Sequence, residues 1–151
     1  MARCRRLLYD DLSWIVEELR ELPTQSRQYA DVPDDPQYVW QYFAEMYNAG
    51  TLVGIVSEYH KSFILSYIGK PWWANRVECN EMILWVPAEF RGGSIAYRLI
   101  GEWLNLIGNA YGNVSIIRAG ASLDITDNEH TLRLYEKHGF TRRGNGVEMR
   151  L

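Results

Sequence analysis

The chain has 151 residues, of which 47% are hydrophobic and 23% are charged, a length and composition typical of one globular domain that can bury a core. Its formal net charge of −3 argues against general binding to the phosphate backbone of nucleic acids, which requires dense Lys and Arg. The charge is uneven, since residues 1–60 sum to −5 and residues 61–151 to +2. The second part of the chain can therefore still hold one anionic small molecule.

Neither a metal site nor a targeting segment is expected. The two cysteines, Cys4 and Cys79, and the three histidines lack the spacing of metal ligands. The basic N-terminus is followed by Asp10, Asp11 and Glu17 rather than by an apolar run, so a signal peptide is not predicted. Because no segment approaches the roughly 20 apolar residues that cross a bilayer, we expect a cytoplasmic protein with free thiols and no membrane partner.

Two helices are predicted in the first third of the chain. An apolar stripe at helical spacing over residues 12–19, preceded by a capping aspartate, indicates the first. Pro23 is expected to end it, and the polar segment 24–35 is expected to be a loop. Asp35 followed by Pro36 predicts the start of the second helix, because the carboxylate caps N–H groups and proline needs no partner there.

Three consecutive antiparallel strands are predicted after this helix pair. Residues that are β-branched or aromatic dominate segments 51–58, 63–68 and 77–86, and turn-forming residues separate them. Pro87 is expected to end the third strand, because proline cannot donate to a strand ladder.

In the last third of the chain, helices and strands are predicted to alternate. A helical stripe begins at Ile95, a strand is expected over residues 114–121, and a helix with a capping box is expected over residues 126–138. Residues 140–151 are expected to form a hairpin around a Gly-Asn-Gly turn. The order of elements indicates a single mixed α/β domain over residues 1–151.

The most informative segment is the turn between the third strand and the next helix. Two glycines, Gly92 and Gly93, open directly into the predicted helix, so several backbone N–H groups point outward at the positive end of its dipole. The glycines lack the Cβ atoms that would keep a ligand away from these donors. Such a turn can bind phosphate or diphosphate; a plain tight turn capped by Ser94 is the alternative.

Residues 91–96 resemble the Arg/Gln-x-x-Gly-x-Gly/Ala motif of the GNAT superfamily of N-acetyltransferases. Ser94 stands where the family usually has its first glycine. Segment 89–94 is also similar to phage-encoded members.

A second segment, 128–140, resembles the late motif of the same family. Asn128, Tyr135 and the pair Gly139-Phe140 lie at the family spacing, whereas Thr131 replaces the usual alanine. Because two motifs occur in the family's order and on the expected elements, the resemblance extends over residues 7–151.

The resemblance implies the GNAT fold, in which a central, mostly antiparallel sheet is flanked by helices and two neighbouring strands splay apart. It implies acetyl-CoA as the co-substrate, no metal, and a primary amine as acceptor. Backbone groups that contact the pantetheine arm and polarise the thioester carbonyl would be those of Leu84, Trp85 and Val86. Backbone N–H groups that hold the diphosphate would be those of Arg91, Gly92, Gly93, Ser94, Ile95 and Ala96.

Two further roles follow from the late motif. Asn128 would hydrogen-bond the pantetheine arm from the other side of the splayed strands. Tyr135 would protonate the leaving thiolate, which requires a hydroxyl within hydrogen-bond reach of sulfur. An ordinary core tyrosine is the alternative for Tyr135.

Glu81 is the candidate base that deprotonates the amine. It lies in mid-strand, where alternation predicts that it shares a face with Ile83 and Trp85, an awkward place for a charge. The family often has a base glutamate at this position, and a half-buried carboxylate would have a raised pKa. Pairing with Arg76 is the structural alternative, and Glu78 is the nearest competitor for the role.

Two other functions stay open at this point. A GNAT-like binding module without activity would keep the fold, and Ser94 is its best support. An acetyltransferase toxin acting on aminoacyl-tRNA would keep the acetyl-CoA site, although the net charge of −3 disfavours a nucleic-acid partner.

The acceptor is not identified by the sequence. A protein lysine, an N-terminal amine, a polyamine and a small metabolite amine all fit, and the acidic first 60 residues favour a cationic acceptor. The residues expected around the acceptor are Arg27, Tyr29, Tyr67, Trp72, Trp73 and the final hairpin. A homodimer is compatible with the sequence.

Overall fold

The computed structural model describes residues 3–26, 29–120, 128–144 and 146–151. The α-helices in these ranges are α1 (Leu12–Leu19), α2 (Leu22–Gln25), α3 (Pro36–Asn48), α4 (Ile95–Ala110) and α5 (Asn128–Lys137). The β-strands are β1 (Arg5–Arg6), β2 (Leu52–Ser57), β3 (Ser62–Gly69), β4 (Val77–Trp85), β5 (Val114–Gly120), β6 (Thr141–Arg143) and β7 (Gly146–Arg150). Short 3-10 turns precede α1 and follow β4.

The strands form one sheet in the order β1-β2-β3-β4-β5-β7-β6. Neighbouring strands run antiparallel, except that β4 and β5 are parallel. The predicted mixed α/β domain with a mostly antiparallel sheet is therefore confirmed, and the three strands predicted over segments 51–86 are β2, β3 and β4.

A hydrophobic cluster lies on each side of the sheet, because neighbouring residues of β3 point alternately to opposite faces. The α4 side, which α4 and α5 cover, has a buried core that includes Ile64, Leu99, Trp103, Ile117 and Tyr135. The α1 side, which α1 and α3 cover, has a buried core that includes Leu12, Ile15, Phe43, Phe63 and Trp85. The candidate site residues lie along the second half of β4 and in the turn that follows it.

The second helix begins as predicted. Pro36 is the first residue of α3, and the Asp35 carboxylate accepts a hydrogen bond from the backbone N–H of Tyr38 at 3.1 Å. This pairing satisfies one of the N–H groups that a helix start leaves without an internal partner.

Two predictions for the first third of the chain were wrong. Pro23 lies inside α2 instead of ending a helix, since proline is tolerated in a first helical turn where its missing N–H costs nothing. Strand β1 was not predicted, because two arginines are too short a segment to show an alternating pattern; they pair with Ile55 and Val56 at the edge of the sheet. The predicted start of the last helix at residue 126 lies outside the described residues.

Strands β4 and β5 separate at one end. Their ladder runs from Val77 opposite Val114 to Asn80 opposite Arg118, whereas β4 continues along β3 as far as Trp85. The edge of residues 81–85 that faces β5 consequently has no strand partner in the described part of the chain. This gap is the splayed strand pair expected from the resemblance. None of the helices that the structure describes is long and apolar enough to cross a membrane.

Candidate active site

A β-bulge lies in β4 where the gap begins. Ser66 of β3 lies opposite Glu81, and the preceding Leu65 lies opposite Ile83. Met82 is therefore the extra residue on β4, and such an insertion shifts the side-chain alternation by one position.

The bulge decides which face Glu81 occupies. Cys79 belongs to the core of the α4 side. Glu81 lies two residues further along the strand and before the bulge, so alternation places its side chain on the same face. Ile83 and Trp85, beyond the bulge, belong to the core of the α1 side. The prediction that Glu81 shares a face with Ile83 and Trp85 was wrong, because simple alternation does not hold across a bulge.

The Glu81 carboxylate is half-buried at the start of the gap. Its Oε2 atom accepts a hydrogen bond from the backbone N–H of Gly120 on β5 at 3.2 Å. Burial raises the pKa of Glu81 to about 7, although the hydrogen bond from Gly120 acts in the opposite direction. A carboxylate that titrates near neutral pH is suited to accept a proton from an amine.

The alternative pairing of Glu81 with Arg76 was wrong. Arg76 Nε donates to Glu78 Oε2 at 2.8 Å, and Arg118 of β5 also donates to the fully buried Glu78. Within the residues that the structure describes, Glu81 has no Lys or Arg at ion-pair distance. Glu78 is therefore the carboxylate that pairs with the neighbouring arginines, and Glu81 is not part of that cluster.

Tyr135 is fully buried on the α4 side, and its ring packs edge-on against Phe140 with centroids 5.2 Å apart. Its hydroxyl has no hydrogen-bond partner among the described residues. Burial and, to a lesser extent, the charge of Glu81 raise the pKa of Tyr135 well above its ordinary value. A buried hydroxyl without a partner costs free energy, so this atom is available to an incoming acceptor close to Glu81.

The turn before α4 presents a row of free donors. The backbone N–H groups of residues 92–96 have no protein acceptor in the described ranges. Gly92 has a φ of +85°, and a Cβ atom added there would meet nothing within 4 Å. A Cβ atom at Gly93 would meet only Phe90 O, at 3.6 Å. The glycines therefore border open space in front of the donors, as predicted.

Arg91 and Ser94 differ from the expectation. The N–H of Arg91 donates to Ala88 O at 3.3 Å, so it is not available to a ligand. The Ser94 side chain makes no capping hydrogen bond, which contradicts the plain capped turn considered as an alternative. Its N–H group nevertheless stays free, because serine and glycine present the same backbone donor.

A cleft of about 440 Å³ lies in front of this turn. Its walls are residues 89–95, His60 from the turn between β2 and β3, and Arg98 from the first turns of α4. Arg98 was not among the residues predicted from the sequence. Its position could have indicated it, because it lies three residues after Ile95 and therefore about one turn along the helix from the glycine turn. The cleft combines free N–H donors with positive charge, as an anion site requires.

The remaining candidate residues lie around the gap. Leu84, Trp85 and Val86 form the end of β4 and the residue after it, along the unpaired edge. Val86 O accepts a hydrogen bond from Arg91 Nε at 2.8 Å. Asn128 is the first residue of α5, the helix that carries Tyr135.

The residues expected around the acceptor are scattered. Trp72 and Trp73 are 93% and 55% exposed, but their turn leads into the start of β4, about 26 Å along the strand from Trp85. Tyr67 lies opposite Asn80, where β4 and β5 separate. Arg27 lies outside the described residues.

Solved structures provide the comparison for this arrangement. The chain superposes on an acetyltransferase of the GNAT family from Streptococcus pneumoniae with a TM-score of 0.76 at 10% identity, covering 100% of both chains. It superposes on a ribosomal-protein-alanine N-acetyltransferase from Brucella melitensis with a TM-score of 0.75 at 15% identity, covering 99% of both chains. The chain has the GNAT fold.

A third GNAT-fold comparison comes with a ligand. A predicted acetyltransferase from Clostridium acetobutylicum, determined with acetyl-CoA, matches with a TM-score of 0.68 at 17% identity over 95% of this chain and 92% of that one. No protein-family model and no curated protein sequence matches the chain. The GNAT fold is therefore recognised from the structure, at sequence identities of 17% or less. The comparisons give no support to a phage origin.

Proposed function

We propose that this protein is an N-acetyltransferase that moves an acetyl group from acetyl-CoA to a primary amine. One observation supports the proposal most strongly. The unpaired edge of β4 has the half-buried carboxylate of Glu81, whose pKa is raised, at one end, and it is followed along the chain by the turn with free N–H donors. The acetyl-CoA in the Clostridium structure supports the proposal by way of a shared fold.

The residues present fit acetyl-CoA. The donors of residues 92–96 and the open space beside Gly92 and Gly93 suit the diphosphate. The unpaired edge of β4 offers backbone hydrogen-bonding groups to the amides of the pantetheine arm, as an exposed strand does for an added strand. The unpartnered hydroxyl of Tyr135 suits an acceptor atom brought close to Glu81.

Acetyl-CoA, when bound, supplies a thioester whose carbonyl carbon accepts an amine. An ammonium ion has no lone pair, so its proton must leave before attack, and the Glu81 carboxylate accepts that proton. The raised pKa of Tyr135 keeps its hydroxyl protonated at neutral pH. That hydroxyl donates a hydrogen bond and then its proton to the departing sulfur.

Ser94 gives little support to an inactive binding module. Its substitution for glycine leaves the backbone donor free, so the diphosphate site loses no hydrogen bond. The acceptor is proposed only as a primary amine; a protein lysine or N-terminus, a small molecule and an aminoacyl-tRNA all provide one.

The test combines binding and transfer. Isothermal titration calorimetry measures acetyl-CoA binding to the purified protein, and a panel of amines is then screened for release of free CoA thiol and for the acetylated product by mass spectrometry. Binding with amine-dependent release supports the proposal. Binding without release from any amine indicates a binding module, and no binding overturns the proposal.

A further inference from the structure

Arg98 differs from the other partly buried arginines of the described chain. Its Nε atom, like that of Arg142, is buried without a hydrogen-bond partner among the described residues. The terminal nitrogens of Arg142 pair with Glu129 and Glu136, whereas none of the described acidic residues lies at ion-pair distance from Arg98. The other partly buried arginines each have a carboxylate or an uncharged oxygen acceptor: Arg5, Arg76, Arg91, Arg118 and Arg142.

A partly buried charge without a partner is costly unless an anion approaches it. Arg98 lies one turn into α4, and helical side chains tilt toward the N-terminus of their helix, which here is the turn with free N–H donors. Arg98 indeed lines the cleft together with Gly92, Gly93 and Ser94. It also borders a second groove of about 440 Å³ that includes Arg3, Tyr97 and His138.

Arg91, the arginine of the sequence motif, has a different environment. Its Nε donates to Val86 O at 2.8 Å, and its terminal nitrogen donates to Gln25 Oε1 at 2.5 Å. Its guanidinium lies 5.6 Å from the centre of the Trp85 ring. These contacts connect the turn to β4 and to α2, so Nε and one terminal nitrogen of Arg91 are engaged within the protein itself.

We propose that Arg98 is the cation that binds the diphosphate of acetyl-CoA, whereas Arg91 holds the turn in shape. The proposal rests on the proposed function. The guanidinium offers several donors to phosphate oxygens, and it adds to the turn the charge that backbone N–H groups lack.

The test measures dissociation constants of three probes for the wild type and the variants Arg98→Gln, Arg98→Lys and Arg3→Gln. The probes are acetyl-CoA, its 3′-dephospho analogue and S-acetylpantetheine, which has no diphosphate. Arg98→Gln should weaken both nucleotide probes about tenfold or more and leave S-acetylpantetheine within twofold. Arg98→Lys should recover part of the affinity. Arg3→Gln, which removes the same charge from the second groove, should change it little.

Each failure points to a different conclusion. Wild-type protein that binds no acetyl-CoA overturns the proposed function and this inference together. If the wild type binds and Arg98→Gln binds equally well, only the inference falls. If the affinity for S-acetylpantetheine falls equally, the substitution has damaged the site in general. If the affinity for the 3′-dephospho analogue does not fall, Arg98 binds the 3′-phosphate. Both outcomes overturn the assignment of Arg98 to the diphosphate.

A second readout separates the two arginines without any ligand. Arg91→Gln removes two hydrogen bonds and a cation–π contact and should lower the melting temperature. Arg98→Gln removes no hydrogen bond or ion pair made with the described residues and should not lower it. The reverse order of melting temperatures would contradict the division of roles.

Discussion

The backbone N–H of Gly120 and the carboxylate of Glu81 meet at 3.2 Å where β4 and β5 separate. This hydrogen bond joins the two strands just beyond the last pair of their ladder, one residue after Asn80 and two residues after Arg118. It fixes the carboxylate at the mouth of the gap with the unpartnered hydroxyl of Tyr135 close by. A carboxylate and an unpartnered hydroxyl thus lie on the same side of the sheet.

Replacing Tyr135 by Phe should slow acetyl transfer and leave acetyl-CoA affinity nearly unchanged, because the hydroxyl matters mainly as the thiolate leaves. General acid catalysis typically contributes 10²–10⁴-fold, so a loss of that order is expected in turnover rate. Since the buried hydroxyl has no partner in the described residues, its removal should also raise the free energy of unfolding by about 1 kcal/mol. A rate within threefold of the wild-type rate would show that Tyr135 is a core residue and not the proton donor.

Replacing Gly93 by Leu should block the approach of the diphosphate to the free N–H groups. Gly93 is suited to this test because, unlike Gly92, it does not have a positive φ, so the new side chain fills the cleft without backbone strain. Acetyl-CoA affinity measured by calorimetry should fall at least tenfold, which corresponds to about 1.4 kcal/mol. Gly108→Leu, at an exposed position near the end of α4 with open space around it, is the control and should bind normally. Equal affinities of the two variants would remove the site from this turn.

Replacing Glu78 by Gln should destabilise the protein without altering its chemistry. The fully buried carboxylate accepts hydrogen bonds from Arg76 and Arg118, which are themselves 38% and 31% exposed. Because solvent partly screens the arginines left behind, the loss in free energy of unfolding should be about 2 kcal/mol, below the range for fully buried pairs. Denaturant unfolding measures this loss, and the pH–rate profile should keep its shape. A displaced profile would make Glu78 a competitor for the role of base.

The contribution of Glu81 to stability should depend on pH with the opposite sign to that of an ion-paired carboxylate, and Glu81→Gln should remove this dependence. Burial raises the pKa of Glu81 from 4.5 to about 7, so the folded state binds this proton more tightly than the unfolded state does. Stability of the wild type therefore falls as pH rises from about 4.5 through about 7, and the neutral amide should avoid that loss. Thermal unfolding of the two proteins at pH 4 and pH 8 should show a gain for Glu81→Gln at pH 8 only. A loss at pH 8 would indicate that the charged form is stabilised by an unexpected partner.

The sequence predicted most of the elements that form the gap and the turn. Strand patterns over β2 to β4 and the glycine turn before α4 are local features, and residues within a few positions of one another determine them. The helix start at Asp35 and Pro36 was predicted for the same reason, since a cap is a local hydrogen bond.

What the sequence did not predict depends on contacts between distant residues. The bulge at Met82 arises from the register between β3 and β4, and it reverses the face that alternation predicts for Glu81. The pairing of Arg76 with Glu78 also depends on a distant residue, because the buried Glu78 accepts a second hydrogen bond from Arg118 of β5. That Arg98 Nε is buried without a partner, and that Arg98 lines the cleft, depends on the elements packed around α4 and not on its local sequence.

The pH dependence of acetyl transfer in the wild type and in Glu81→Gln tests the central claim most directly. Release of free CoA thiol is measured from pH 5.5 to pH 9.5 with an amine that the wild type accepts, with Glu45→Gln on the exposed face of α3 as the control. We predict a wild-type rate that rises through pH about 7 as the Glu81 carboxyl ionises. The Glu81→Gln rate should be strongly reduced at neutral pH and should partly recover at high pH, where more amine is already neutral. Superimposable curves for the two proteins would contradict the assignment of Glu81 as the base.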